Sequence, residues 1–181
     1  MKTYSFACGS GTVELPLDEK NVIGELHGNA VAPLADIRAA LWASLDAPID
    51  SAPLCERARA GDTVALVVSD MTRFWMRQDL VVPHLVDYLT ERCGVREEDI
   101  TIVIANGTHI GGDEQELRTL VTDAVYDHVK VKNHDCEAKD LVYLGTTPHG
   151  TPVSIDRTAA EADLVVCLGA VSYTHLRAHE T

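Results

Sequence analysis

Two short runs of uninterrupted apolar residues constrain this chain most: residues 63–68 (TVALVV) and Ile100–Ala105 (ITIVIA). A strand with one wet face alternates apolar and polar positions, whereas a run without polar breaks is covered on both faces, as in parallel sheets flanked by helices. Between the runs, residues 79–93 place Val82, Leu85, Val86 and Leu89 at helical spacing, with Pro83 acceptable in a first turn and Gly94 as the stop. A right-handed strand–helix–strand crossover then makes the two strands parallel neighbours. Leu164–Leu168 (LVVCL) reads as a third buried strand.

The remaining elements fit around this core. Residues 4–8 and 13–17 alternate about Gly9-Ser10-Gly11, which reads as a β-hairpin. Pro33 opens a helical stretch in which Ile37, Leu41 and Leu45 recur, and a short helix over 54–60 stops at Gly61. Residues 69–77 read as a loop and 113–122 as a helix. Strands are expected over 129–132, 141–144 and 153–155, with a turn over 145–150, and a short helix over 157–162. The fold class is therefore α/β: a mostly parallel, Rossmann-like sheet with flanking helices and an N-terminal hairpin.

With 46% hydrophobic and 24% charged residues, the 181-residue chain is ordinary for a globular domain. Its 15 basic and 28 acidic residues give a net charge of −13. That surface repels phosphate backbones, which argues against nucleic acid or an anionic membrane as partner. No run reaches the roughly 20 apolar residues of a membrane span, and the N-terminus lacks the apolar core of a signal peptide. The five cysteines (8, 55, 93, 136, 167) are odd in number and form no CxxC pair. They read as reduced, mostly buried packing residues of a cytoplasmic protein.

Both apolar strands run into polar loops, 69–75 (SDMTRFW) and 106–112 (NGTHIGG). Parallel neighbours deliver both loops to the carboxyl edge of one sheet, where α/β proteins bind ligands. Asp70, Thr72, Arg73 and His109 are thus expected to face one pocket. Arg73 offers a planar fork for a carboxylate or phosphate. Asp70 orients that arginine or fixes a histidine tautomer, Thr72 donates to an oxyanion, and His109 moves a proton near neutral pH. The plainer reading is a local Asp–Arg ion pair and a satisfied histidine. His134-Asp135-Cys136 reads as a loop rather than a chelate, because adjacent strand residues point to opposite faces. Gly9-Ser10-Gly11 lacks the third glycine and following helix of a dinucleotide fingerprint.

Asp70-Met71-Thr72-Arg73 also resembles the Asp-x-Thr-Arg motif of the nickel-pincer lactate racemase family, and Ala105-Asn106-Gly107-Thr108-His109 resembles its Ala-(Asn/Thr)-Gly-x-His motif. The Glu-rich start of the helix at 113–117, Gly150-Thr151-Pro152-Val153 and the stretch 156–163 follow in matching order. The resemblance implies the N-terminal α/β domain, residues 1–170, of a two-domain racemase or epimerase of 2-hydroxy acids such as lactate. It implies that Arg73 binds the substrate carboxylate and that His109 is one of two histidines that take the hydroxyl proton. Asp70 and Thr72 would support them. It also implies a nickel pincer nucleotide as hydride acceptor.

Past Ala170 the match ends. The family has a second histidine, a cofactor-anchoring lysine and a nickel-binding histidine there, whereas this chain reads VSYTHLRAHET. The string from Ser172 on resembles translated sequencing-adapter DNA, so 171–181 is expected to be a non-native tail, and no role is assigned to His175 or His179. No metal ligand and no cofactor lysine is assignable in this chain. The chain alone is expected to be inactive and to expose apolar surface where a missing C-terminal domain packs. The alternative is a non-catalytic module that binds a carboxylate or other anion. A nicotinamide enzyme is disfavoured by the missing glycine fingerprint.

Overall fold

A computed structural model describes residues 1–169. It falls into two compact units, Met1–Pro33 and a larger one that begins at Leu34.

The first unit is the expected hairpin. β1 (Lys2–Cys8) pairs antiparallel with β2 (Gly11–Leu17), so that Tyr4 faces Leu15 and Phe6 faces Val13. Gly9 takes φ +58° in the turn, a conformation that costs glycine little. Among the described residues both strands of the ribbon are largely exposed, Phe6 and Val13 each at 52%.

The second unit carries a four-stranded parallel sheet in the order β5-β4-β3-β8. β3 (Val64–Ser69) and β4 (Ile100–Ala105) are the adjacent central strands, in register from Val64↔Ile100 to Ser69↔Ala105. β5 (Lys130–Asn133) extends the sheet beyond β4, and β8 (Leu164–Leu168) lies on the other side of β3. β6 (Val142–Thr146) and β7 (Pro152–Ile155) form a separate antiparallel pair.

One face of the sheet is packed most tightly on its central strands. Leu66, Val68, Ile102 and Ile104 join Val82, Leu85, Val86 and Leu89 in a single buried cluster. Those last residues lie on α3 (Val82–Asp87) and the wider turn that continues it, Tyr88–Arg92. Pro83 sits in the first turn of α3, where no backbone N–H is missed. α1 (Ile37–Asp46) begins with Asp36, whose carboxylate accepts from the Ala39 amide. The helix therefore starts four residues later than Pro33, because a side-chain cap closes it there. α2 is only Leu54–Arg57. α4 (Glu114–Val121) is fixed by a reciprocal capping box between Asp113 and Glu116. α5 (Asp123–Tyr126) follows Thr122, and α6 (Arg157–Glu161) is capped by Asp156.

The opposite face of the sheet departs from expectation. β8 reads as a fully apolar strand, yet Val165 is 43% exposed and Cys167 is exposed as well. Together with Val67, Val103 and Ile155 they line an open apolar groove of about 400 Å³. The cysteines depart too: Cys8, Cys136 and Cys167 are exposed, and only Cys55 and Cys93 are half-buried. The causes are local. Cys8 lies on the exposed hairpin, Cys136 in a turn and Cys167 on the open β8 side of the sheet face. No helix among the described residues is long and apolar enough to cross a membrane.

Candidate functional site

The register of β3 with β4 sets Ser69 beside Ala105, so both polar loops leave the sheet at the same edge. The first is not a free loop. Residues Met71–Met76 form a 3-10 helix that begins after Asp70 and ends at Arg77, whose backbone is left-handed at φ +52°. Gln78, 1% exposed, donates from its side-chain amide to the Ser69 carbonyl at 2.6 Å and so ties the far end of this segment to the end of β3.

The second loop begins with a tight turn in which the His109 amide donates to the Asn106 carbonyl at 2.9 Å and Gly107 takes φ +59°. Asn133, the last residue of β5, clamps the rest of it. Its side-chain oxygen accepts from the Asn106 amide group (3.0 Å) and the Gly112 N–H (3.1 Å), and its NH2 donates to the Gly112 carbonyl (2.8 Å). Gly111 passes so close that a Cβ there would stand 2.9 Å from the Asn133 side chain. Thus β4, which the loop leaves, and β5, which clamps it, together place His109.

These constraints bring Asp70 and His109 together across 39 residues of sequence: His109 Nδ1 lies 2.5 Å from Asp70 Oδ2. The other carboxylate oxygen accepts from the Thr72 hydroxyl at 2.6 Å, and that hydroxyl oxygen accepts in turn from Arg73 Nη1 at 3.2 Å. Asp70 is nearly buried, at 8% exposure. Burial alone would push its carboxyl up; the hydrogen bonds from His109 and Thr72 and the nearby Arg73 charge outweigh burial and hold it below the usual carboxylate range. An ionised carboxylate only accepts, so Nδ1 of His109 carries the proton of this hydrogen bond, and in the neutral imidazole the lone pair lies on Nε2.

Asp70, Thr72 and His109 line one cleft of about 260 Å³ with Ile104, Asn106 and Glu116. Glu116 is already engaged there, since its carboxylate caps the Asp113 N–H. His109 also borders a second depression of about 300 Å³ shared with His134 and Cys136. Arg73 differs from expectation: it is exposed, it is not among the residues lining the cleft, and among the described residues it makes no ion pair. Thr72 differs as well. Its one hydroxyl proton is donated to Asp70 in this structure, which leaves the hydroxyl oxygen only as an acceptor, here from Arg73. Of the two expectations for Asp70, the contact formed is the one with histidine. His134-Asp135-Cys136 follows β5 as a turn, and no group of three His, Cys, Asp or Glu side chains is arranged to hold a metal ion among the described residues. His175 and His179 lie outside the described residues.

Two elements of the site have no sequence signal of their own. Gln78 and Asn133 act only through strand ends that are distant in the chain. A third, Asp156, is held by Lys132 (2.9 Å) and the Thr158 N–H (2.9 Å) close to His134. Burial works against its charge, and those two partners outweigh it to keep the carboxyl below its usual range.

Fold and site together define an α/β domain with an ordered histidine–carboxylate pair at the carboxyl edge of a parallel sheet, the edge at which α/β domains bind ligands. The chain belongs to the lactate racemase N-terminal domain family, whose profile matches residues 8–179. It is 27% identical over 164 residues to a lactate racemase of Lactiplantibacillus plantarum, covering 88% of this chain and 38% of that protein. It is 26% identical over 129 residues to a lactate racemase of Thermoanaerobacterium thermosaccharolyticum, covering 71% of this chain and 30% of that protein. The chain thus spans well under half the length of these relatives. The fold is similar to that of the lactate racemase apoprotein from T. thermosaccharolyticum, with a TM-score of 0.78 over 92% of this chain and 38% of that one, at 22% identity.

Proposed function

We propose that this chain supplies the proton-transfer and carboxylate-binding half of a racemase or epimerase that acts on a 2-hydroxy acid such as lactate. The observation that carries this reading is the 2.5 Å contact between His109 Nδ1 and Asp70, in a histidine that lines the cleft and whose other ring nitrogen is not used by Asp70. A 2-hydroxy acid presents a carboxylate and a hydroxyl on adjacent carbons. In this reading Arg73, which has no carboxylate partner among the described residues, swings onto the substrate carboxylate and grips it with two N–H groups. His109 Nε2 accepts the hydroxyl proton, and Asp70 stabilises the imidazolium that results. Thr72 holds Asp70 in place through its hydroxyl.

Removal of the hydroxyl proton invites loss of the neighbouring α-hydrogen with its electron pair. The family resemblance assigns that hydride to a nickel pincer nucleotide, anchored by a lysine expected downstream of Ala170. The described residues present no donor set for nickel, so the steps derived from this chain are confined to the carboxylate and the proton. The remaining partner is the C-terminal domain of the same protein, and the compartment proposed is the cytoplasm.

The test is interconversion of D- and L-lactate by the intact protein, with His109→Ala beside the wild type. Turnover should fall on the order of 10²–10⁴-fold while the folded fraction is unchanged, the usual contribution of a general base. If the variant loses only folded protein and keeps its activity per folded molecule, His109 is not the base. If the wild type binds 2-hydroxy acids but never interconverts them, with nickel and nucleotide supplied, the anion-binding module is the better description.

A further inference from the structure

Cys55 and Cys93 are separated by 38 residues, yet their sulfurs lie 2.7 Å apart. Cys55 is in α2, and Cys93 ends the turn that continues α3. Both are half-buried, whereas Cys8, Cys136 and Cys167 are exposed. A disulfide has an S–S bond of roughly 2.05 Å, so this pair is poised to close with a small displacement. Neither sulfur belongs to the cleft at the sheet edge. We propose that Cys55 and Cys93 form a reversible oxidation site, an intrachain thiol pair that a small-molecule disulfide converts to a disulfide bond.

The chemistry balances through two exchanges. One protein thiolate attacks a sulfur of the small disulfide, forming a mixed disulfide and releasing one small thiolate. The second protein thiolate attacks the protein-side sulfur of that mixed disulfide and releases the other small thiolate. The protein loses two protons and two electrons, and the small disulfide is reduced to two thiols. Burial, and next the hydrogen bond with Cys55, push the Cys93 thiol up to about 12. At neutral pH Cys93 is therefore a thiol rather than a thiolate, and exchange quickens as pH rises. The bond would close a loop around β3 and the segment from Asp70 to Arg73, fastening α2 to the end of the α3 helix.

The experiment exposes the intact protein to a graded series of oxidised and reduced glutathione, alkylates remaining thiols with iodoacetamide and digests with trypsin. The expected product is a linked pair of peptides, residues 39–57 joined to residues 93–96, that disappears on treatment with dithiothreitol. The linked form should melt higher by on the order of 5–15 °C, from the loop entropy removed in the unfolded chain. Cys55→Ser and Cys93→Ser should each abolish the linked pair. If both residues stay separately alkylated across the series, or if glutathione remains on one of them without resolving onto the other, the proposal fails. The wild-type peptide map decides the matter even if a serine variant folds poorly.

Discussion

Asp70→Asn tests the electrostatic logic of the site with almost no change of shape. Asp70 accepts two short hydrogen bonds, 2.5 Å from His109 and 2.6 Å from Thr72. Asparagine keeps one acceptor oxygen, so one of the two donors must turn or lose its partner. Hydrogen bonds to a charged group are worth roughly 1.5–3 kcal/mol, and the loss of one lowers Tm by roughly 3–12 °C for a domain of this size. The acid sensitivity changes as well. The folded carboxyl of Asp70 lies below its unfolded value of about 3.9, so its stabilisation is present above that pH and is lost as pH falls through the folded value. The variant has no such carboxyl, and its unfolding curve should be flatter below about pH 4. Turnover should fall further than stability, by on the order of 10²–10⁴, because the imidazolium loses its counter-charge and Nδ1 its fixed proton. The assays are thermal melts from pH 2 to pH 7 and lactate interconversion by the intact protein, normalised to folded fraction. A variant with wild-type turnover and an unchanged acid limb would refute the coupling of Asp70 to His109.

Arg73→Lys should raise KM for the 2-hydroxy acid by on the order of 10–100-fold with a smaller change in kcat, because an ammonium cannot replace a two-pronged grip; an unchanged KM would remove Arg73 from carboxylate binding. Asn133→Ala should cost about 1–3 kcal/mol in urea unfolding and speed hydrogen exchange of the amides in 106–112, since Asn106 and both backbone groups of Gly112 lose a partner. Thr122 holds φ +77° and ψ +153°, a region suited to glycine, so Thr122→Gly should stabilise the fold by about 1 kcal/mol, read as a higher urea midpoint.

The sheet was legible because its signal is local. β4 occupies residues Ile100–Ala105 as its apolar run predicts, and its parallel pairing with β3 follows from crossover geometry alone. Where sequence reading failed, a contact distant in the chain had decided the outcome. The 3-10 helix Met71–Met76 depends on Gln78 reaching back to Ser69, and nothing within 69–77 announces that hydrogen bond. α5 follows Thr122, a residue with positive φ at a place where no glycine or proline punctuates the chain. β8 exposes a different weakness. An unbroken apolar run shows that a strand avoids water in its final setting, and it does not say which surface does the covering. Val165 and Cys167 satisfy the pattern while lying open among the described residues.

The same division runs through the site. The convergence of Asp70, Thr72 and His109 on one cleft was legible because strand ends of a parallel sheet deliver their loops to one edge. Their partners follow from geometry that spacing does not encode. Asp70 could equally have oriented Arg73, which is three residues away, and the choice of His109 depends on Asn133 holding the 106–112 loop against β5. That choice has a chemical consequence. A carboxylate on arginine would neutralise the group proposed to attract a substrate anion, whereas a carboxylate on histidine sets a tautomer and leaves the guanidinium available. In a chain of net charge −13, the proposed function needs such an uncommitted arginine if an acidic surface is to receive an acid. Salt should therefore weaken capture of the substrate only modestly, since the attraction comes from one short-range fork rather than from the field of the whole molecule.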